Sequence, residues 1–402
     1  MSLALQQTFS SLRVRNFRLY LTAQAISMTG TFLQMLAQDW LVLKLTNSGV
    51  MLGLVAATQF TPMLIFALWG GLIADRFPKL RLLFFTHSTA ALIALLVGIL
   101  VLTGLIQIWM VFVCALLLGL SNSIDNPTRQ SFIYEMVGPG EVKNAVSLWT
   151  IVISVSRIAG PALAGVLIAL VGIGVCFVLN AFSYGAVLIA LSLMRPGELT
   201  ASPRASNDKG QIRAGLRYAA AHPLIRRALI MLAIIGTLTY EWPTSLPLFT
   251  KFTLHGDAAT YAAISVSMSV GMLIAGFIGA RSAQVSQRRM ILGAFLIGVF
   301  VILASFVHAL PIAIVVFVGI GAANITFANL INATLQLNAE PSMRGRVMSL
   351  WNVAFQGSTA IGAPIIGWVG STYGAPSALL VGGIAALAAA AYGFTSLRSE
   401  NS

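Results

Sequence analysis

Three Asp, Glu, Lys or Arg side chains fall inside the long apolar stretches of this 402-residue chain: Asp39, Arg157 and Glu241. A charge at the centre of a membrane-spanning helix costs roughly 2.5–3.5 kcal/mol, so an acid kept there is expected to face a cavity or share a proton. Glu241 is the leading proton-exchanging group. It lies thirteen residues into its apolar run, about 20 Å along a helix, just before Pro243 and Pro247, which should interrupt that helix. The competing reading is an interfacial carboxylate at the outer mouth. Asp39 sits five residues before Lys44, near the outer end of its run, where a charge costs little. Arg157, twelve residues into its run, can attract an anionic solute, pair with an acid, or hydrogen-bond carbonyls freed by Pro161.

Polar residues spaced by three and four mark faces that avoid lipid. Gln24, Ser27, Thr31, Gln34 and Gln38 form one such stripe, and Ser147, Thr150, Ser154 and Arg157 another. Thr237, Glu241 and Thr244, then Asn329, Asn332 and Gln336, then Asn352, Gln356 and Thr359 complete the set. Any single stripe is explained by hydrogen bonds between helices. Together they predict a central, partly polar cavity with Met and aromatic walls, suited to an amphipathic organic solute.

Other chemistries lack their residues. There is no Gly-Lys dipeptide for a phosphate-cradling loop and no His-Glu-x-x-His. His87, His222, His255 and His308 are scattered and read as packing or interfacial residues, while Cys114 and Cys176 read as buried thiols. No enzyme activity, metal or cofactor is expected.

The elements that must hold these groups follow from composition. With 58% apolar and 9% charged residues, the chain is no water-soluble globular protein. Twelve apolar runs long enough to cross a bilayer recur at approximately 19–43, 50–74, 82–103, 108–124, 145–169, 174–194, 228–250, 259–280, 290–309, 312–333, 347–369 and 376–397. Of 24 Lys and Arg residues, 21 fall on the side of the N-terminus, Lys44 and Lys251 on the other, and Arg157 within a span. This asymmetry places both termini in the cytoplasm and makes the +13 net charge a matter of topology, with no nucleic-acid partner. The first span is expected to be retained, not cleaved as a signal. The polar segment 195–227 contains a candidate interfacial helix and divides a bundle over 1–194 from one over 228–402.

An internal repeat supports the division. A shift of 202 positions lays Asp39-Trp40 onto Glu241-Trp242, Ser147-Leu148-Trp149 onto Ser349-Leu350-Trp351, and Gly160 and Gly165 onto Gly362 and Gly367. The expected fold is all-α, with twelve transmembrane helices in two pseudo-symmetric six-helix bundles.

Between the second and third spans the chain reads Gly71-Leu72-Ile73-Ala74-Asp75-Arg76-Phe77-Pro78-Lys79-Leu80-Arg81. This resembles the loop motif of the major facilitator superfamily, with Pro78 where the family usually has Gly. The resemblance implies that Asp75 latches the start of the eleventh span while Lys79 approaches an acid at the end of the fourth, here Asp125, with Arg129 nearby. The bland reading is a basic loop without a gating role. Arg157-Ile158-Ala159-Gly160-Pro161-Ala162-Leu163-Ala164-Gly165 is similar to the superfamily's antiporter motif, with Ala164 replacing one glycine, and implies export. Arg15-Asn16-Phe17-Arg18, Asn126-Pro127-Thr128-Arg129-Gln130, and Gly215-Leu216-Arg217-Tyr218 with His222-Pro223-Leu224 resemble the transmembrane secretion effector branch. That branch includes enterobactin exporters and macrolide efflux proteins.

The expectation is therefore a secondary exporter of small siderophore- or drug-like molecules in the inner (cytoplasmic) membrane, driven by proton antiport and working as a monomer. Its partners are the solute, protons and the lipid bilayer. The alternatives are an importer or facilitator of a metabolite on the same fold, or a lipid-handling membrane protein.

Overall fold

A computed structural model of the chain describes residues 9–200, 211–280 and 286–401, which are almost entirely helical and contain no strand. The linker stretch 201–210 and part of the second-half loop from Gly279 to Arg289 lie outside the described residues. In chain order the helices are α1 (Arg15–Thr46), α2 (Gly49–Arg76), α3 (Lys79–Leu102), α4 (Ile108–Val171), α5 (Ile173–Ser192), α6 (Gln211–Ala221), α7 (Pro223–Leu238), α8 (Trp242–Phe252), α9 (Ala258–Ala280), α10 (Gln287–Ser305), α11 (Leu310–Asn338), α12 (Arg344–Asn352), α13 (Thr359–Tyr373) and α14 (Ala375–Asn401). A π-helical turn, Val353–Gly357, joins α12 to α13.

Each of the twelve apolar runs falls on helix, yet nine helices among the described residues are long and apolar enough to cross a membrane. Three local features account for the difference. The polar stripe of α1 dilutes its apolar content, α4 carries the fourth and fifth spans as one element, and the π turn cuts the eleventh span into short pieces. The division within α4 is at Gly138, whose φ of 69° and ψ of 176° leave the helical region immediately before Pro139. The fourth span thus runs to Val137, well past the end of its apolar run at 124.

The chain divides into two compact units, Met1–Leu41 with Thr61–Ser206 and Val42–Phe60 with Asn207–Ser402. Residues 42–60 thus group with the second half of the chain. In the first unit, Phe17, Tyr20, Leu83, Phe132, Leu148 and Leu191 form the core. The buried Asn16 side chain accepts from Arg195 N at 3.1 Å and donates to Arg195 O at 3.0 Å, tying the start of α1 to the chain beyond α5. That is the structural role of the Arg15-Asn16-Phe17-Arg18 motif.

In the second unit, α6 packs on α12. The Tyr218 hydroxyl accepts from Glu340 N at 3.1 Å, and the His222 ring lies 3.9 Å from the Tyr218 ring, centroid to centroid. Pro223 then opens α7, where a missing N–H costs nothing. The wholly buried Arg227 donates to Ser396 Oγ at 3.0 Å, Ser396 O at 2.8 Å and Gln287 Oε1 at 2.6 Å, joining α7 to α10 and α14. Residues 42–60 pack here too. Lys251 Nζ donates to Asn47 Oδ1 at 2.6 Å and Leu43 O at 3.3 Å, Val50 N donates to Ser371 Oγ at 3.1 Å, and Gly53 lies against the Ala363 carbonyl.

The repeat is visible in the backbone. Gly172 between α4 and α5 and Gly374 between α13 and α14 both have φ of 91°, with ψ of 168° and 156°. Gly160 rests on the Thr29 carbonyl with Leu33 beside it, and Gly362 rests on the Thr237 carbonyl with Glu241 beside it. The two glycines are 202 positions apart (160 to 362), whereas Thr29 and Thr237 are 208 apart (29 to 237). Asn47 and His255, the two non-glycine residues with φ of 51°, are also 208 apart (47 to 255). The uniform shift of 202 is therefore corrected. It holds for the later spans but slips by six residues in the first, so Glu241 corresponds to Leu33 and not to Asp39.

Candidate functional site

Glu241 lies where the seventh span breaks. α7 ends at Leu238 and α8 begins at Trp242, because Pro243 can open a helix but cannot continue one. Across the break Tyr240 N bonds to Ile235 O at 3.0 Å, one residue wide of helical register. Two close crossings hold the break against the eleventh span: a Cβ on Gly236 would meet the Ala354 carbonyl, and one on Gly362 the Thr237 carbonyl.

The Glu241 side chain is 1% exposed, faces Thr359, and completes no hydrogen bond through either carboxyl oxygen. On the same two spans, Tyr240 Oη, Trp242 Nε1, Thr244 Oγ1 and, on α12, Trp351 Nε1 are likewise buried without hydrogen-bond partners. Buried polar atoms are nearly always bonded, and a concentration of exceptions marks a place that takes water, an ion or a ligand. Aromatic rings line it. Trp351 stacks on Phe355 at 5.0 Å, and Tyr240 meets Phe355 edge-on at 5.5 Å. Phe355 and the half-buried Gln356 belong to the π turn, a distortion that recurs at functional sites. Tyr240, Trp351 and Phe355 were not singled out from sequence as site residues; the four-residue step from Trp351 to Phe355 was the available signal.

The other expected groups are placed as follows. Thr237 bonds back to Ala233 O at 2.7 Å. Asn329 and Asn352 are exposed, and Asn332 accepts from Gln336 at 2.6 Å. Ser154 bonds back to Thr150 O at 2.8 Å, and Arg157 Cζ lies 5.5 Å from the Phe32 ring centroid. Asp39 and Gln38 are buried on α1. α4 runs through Pro161 with helical dihedrals, and Gly160 and Gly165 are buried.

One expectation about the loop is corrected, and the polar face of α1 is engaged between helices. Gln24 and Gln34 are bonded inside the first unit, to His87 at 3.2 Å and to Asn180 at 2.7 Å. Thr31 similarly meets Tyr184 Oη at 3.3 Å. Lys79 pairs with Glu135 at 2.5 Å and not with Asp125. The extension of the fourth span to Val137 puts Glu135 at its end and leaves Asp125 ten residues inside, bound by Thr86, His87 and Arg129. In the loop, Asp75 forms no ion pair among the described residues, and Arg76 and Arg81 are exposed. Gly71 faces open space; the neighbouring Gly70 makes the close approach, to the Ser123 carbonyl.

No group of His, Cys, Asp and Glu among the described residues could hold a metal ion. A family model described as transmembrane secretion effector matches residues 6–401. The chain belongs to that family. It is 26% identical to the multidrug efflux pump Tap of Mycolicibacterium fortuitum over 87% of each chain. It is 23% identical to the enterobactin exporter EntS of Shigella flexneri over 88% of this chain and 85% of the exporter. The staphyloferrin A transporter of Staphylococcus aureus is 26% identical over 62% of this chain, and the match spans 63% of that transporter. Among solved structures, a bacterial homolog of the human lysosomal transporter Spinster superposes with a TM-score of 0.74 at 14% identity, over 96% of this chain and 97% of that one. A POT family transporter gives 0.75 at 11% identity, over 96% of each. These likenesses establish the major facilitator fold. The family and its relatives are multi-pass membrane transporters, with siderophore and drug efflux among them.

Proposed function

We propose that the protein exports small amphipathic organic molecules, siderophore- or drug-like, by proton antiport with alternating access. The observation that carries this reading is the buried carboxyl of Glu241 at a helix break, among unpartnered polar atoms and aromatic rings. A carboxylate there without donors is expensive, and binding a proton relieves the cost. Aromatic faces beside it suit a flat, partly apolar solute. In the proposed cycle, a proton arriving from outside neutralises Glu241, its hold on solute or on the eleventh span weakens, and solute leaves outward before the proton leaves inward. Both termini lie in the cytoplasm on this reading, and Asp75 latches the cytoplasmic side while the protein faces out.

Siderophore and drug efflux by relatives supports the substrate class, and the Gly160-Pro161 element supports the direction. The test is uptake into inside-out vesicles of a panel of catecholate and carboxylate siderophores and cationic dyes, with and without a protonophore. At least one compound should be pumped in a protonophore-sensitive way, and Glu241→Gln should abolish pumping and flatten its pH profile. Proton-driven pumping that survives Glu241→Gln with its pH profile intact would remove Glu241 from the mechanism.

A further inference from the structure

The first unit buries a second ionisable cluster, absent from the polar stripes and centred on His87 of α3. His87 is 4% exposed. Its Nδ1 lies 3.0 Å from Leu83 O, 3.3 Å from Asp125 Oδ1 and 3.5 Å from Thr86 Oγ1, and its Nε2 lies 3.2 Å from Gln24 Nε2. Two acceptors at Nδ1 and an amide donor at Nε2 fit one neutral tautomer, with the hydrogen on Nδ1 and the lone pair on Nε2.

Gln24 is wholly buried with its side chain also against the Tyr20 hydroxyl, and neither Gln24 Oε1 nor Tyr20 Oη completes a hydrogen bond. Turning that amide over would present Oε1 to the ring, where it could accept from Nε2–H of an imidazolium. The same side chain can therefore satisfy either protonation state of His87 by rotating about one bond.

The countercharge is in place. Asp125 on α4 accepts from Thr86 Oγ1 at 2.9 Å and stands between His87 and Arg129, whose Nη1 is 3.5 Å from Asp125 Oδ2. Arg129 also donates to Asn126 at 2.5 Å and lies 5.2 Å from the ring centroid of Trp149, on the far limb of α4 beyond Gly138. The remaining titratable groups at the cluster are tyrosines: Tyr20 of α1, which packs edge-on against Phe132, and Tyr184 of α5, which packs edge-on against His87 at 5.8 Å. Lys79 and Glu135 pair with each other towards the start of α3. With a neutral ring, the Asp125 and Arg129 charges cancel. A proton on His87 adds a positive charge that competes with Arg129 for the one carboxylate.

We propose that His87 is a proton-binding site of the first unit, governed by Asp125 and felt at Trp149 through Arg129, and separate from Glu241. It deepens the proton-antiport reading by adding a second proton-binding group, and rests on that reading only for its use in transport. The carboxylate holds the added proton, the Gln24 amide turns to receive Nε2–H, and the loosened guanidinium changes its contact with Trp149.

The experiment uses the full chain with 15N-labelled histidine in nanodiscs of phosphatidylethanolamine and phosphatidylglycerol, without solute. The His87 ring signals are those lost in His87→Gln. On acidification they should pass from the Nδ1–H tautomer to imidazolium. In the same series Asp125→Asn should lower the protonated fraction several-fold, and Glu241→Gln should leave it unchanged. A ring that keeps one protonation state throughout, or one indifferent to Asp125→Asn, overturns the proposal. Should His87→Gln fail to fold, tryptophan fluorescence in a Glu241→Gln background gives an independent readout: its pH-dependent part should fall in Trp149→Phe, and an unchanged pH-dependent part overturns the coupling. Pumping without proton coupling, with His87 still titrating, would sink the antiport reading and leave this site standing.

Discussion

Burial treats the ionisable residues of this chain in three ways. Glu241 faces Thr359 without completing a hydrogen bond, His87 shares a carboxylate with Arg129, and Arg227 donates to three neutral oxygens. Only the first was legible in the sequence, because an acid beside two prolines in an apolar run has few structural uses. A lone histidine in such a run looks like packing, and Asp125 lay past the end of its apolar stretch, so the pair emerged only once the fourth span proved to continue to Val137. Arg227 was read as one more topology-setting cation. Its bonds make it a fastener instead. Arg227→Met should lower stability by about 2–3 kcal/mol by stranding its charged hydrogen bonds to α10 and α14. Thermal unfolding in detergent checks this, and an unchanged Tm would refute it.

At the scale of the element, every apolar run falls on helix, but run length could not read the ends. Asn126, Thr128, Arg129 and Gln130 lie past the end of the apolar run, yet they are helical, and Arg129 turns onto Trp149. The π turn at Val353–Gly357 leaves no composition signature either. Helix caps are clearer. Asp257 precedes α9 and its Oδ1 accepts from Thr260 N and Thr260 Oγ1, each at 3.0 Å. The Thr260 backbone N–H holds the Asp257 carboxyl below the usual carboxylate range. Asp257→Ala should destabilise α9 by about 1 kcal/mol. Because the folded-state value is depressed, the stabilisation is complete above the ordinary carboxylate range and fades as pH falls through and below it. The parent and Asp257→Ala should therefore differ in hydrogen exchange at the start of α9 at neutral pH and converge in acid. A difference that persists in acid would show that the carboxylate is not the cap.

For the molecule as a whole, duplication was readable but its register was not. A shared Trp after an acid, at Asp39-Trp40 and Glu241-Trp242, suggested one constant shift, whereas the glycine crossings Gly160 on Thr29 and Gly362 on Thr237 reveal a six-residue slip. Dipeptide matches carry no depth information; backbone contacts do. The acid at 241 thus has an apolar counterpart, Leu33, and the two halves are unequal there: the second half breaks at its acid while α1 runs unbroken through Leu33. The grouping of residues 42–60 with the second half was also invisible in composition. It rests on glycines that admit a neighbouring backbone, and Gly53→Val should force this stretch off the Ala363 carbonyl. A disulfide between cysteines placed at Val50 and Ser371, where the parent has a 3.1 Å contact, should form readily in the parent background and poorly with Gly53→Val. Equal cross-linking in both would mean the glycine is not needed there.

The matched turns at Gly172 and Gly374 fix how closely the helices on either side of them must sit. Each reverses the chain in a single left-handed residue, leaving no slack between the helix before it and the helix after it. An extra residue inserted beside either glycine would supply that slack, and should loosen the packing of α4 on α5 or of α13 on α14.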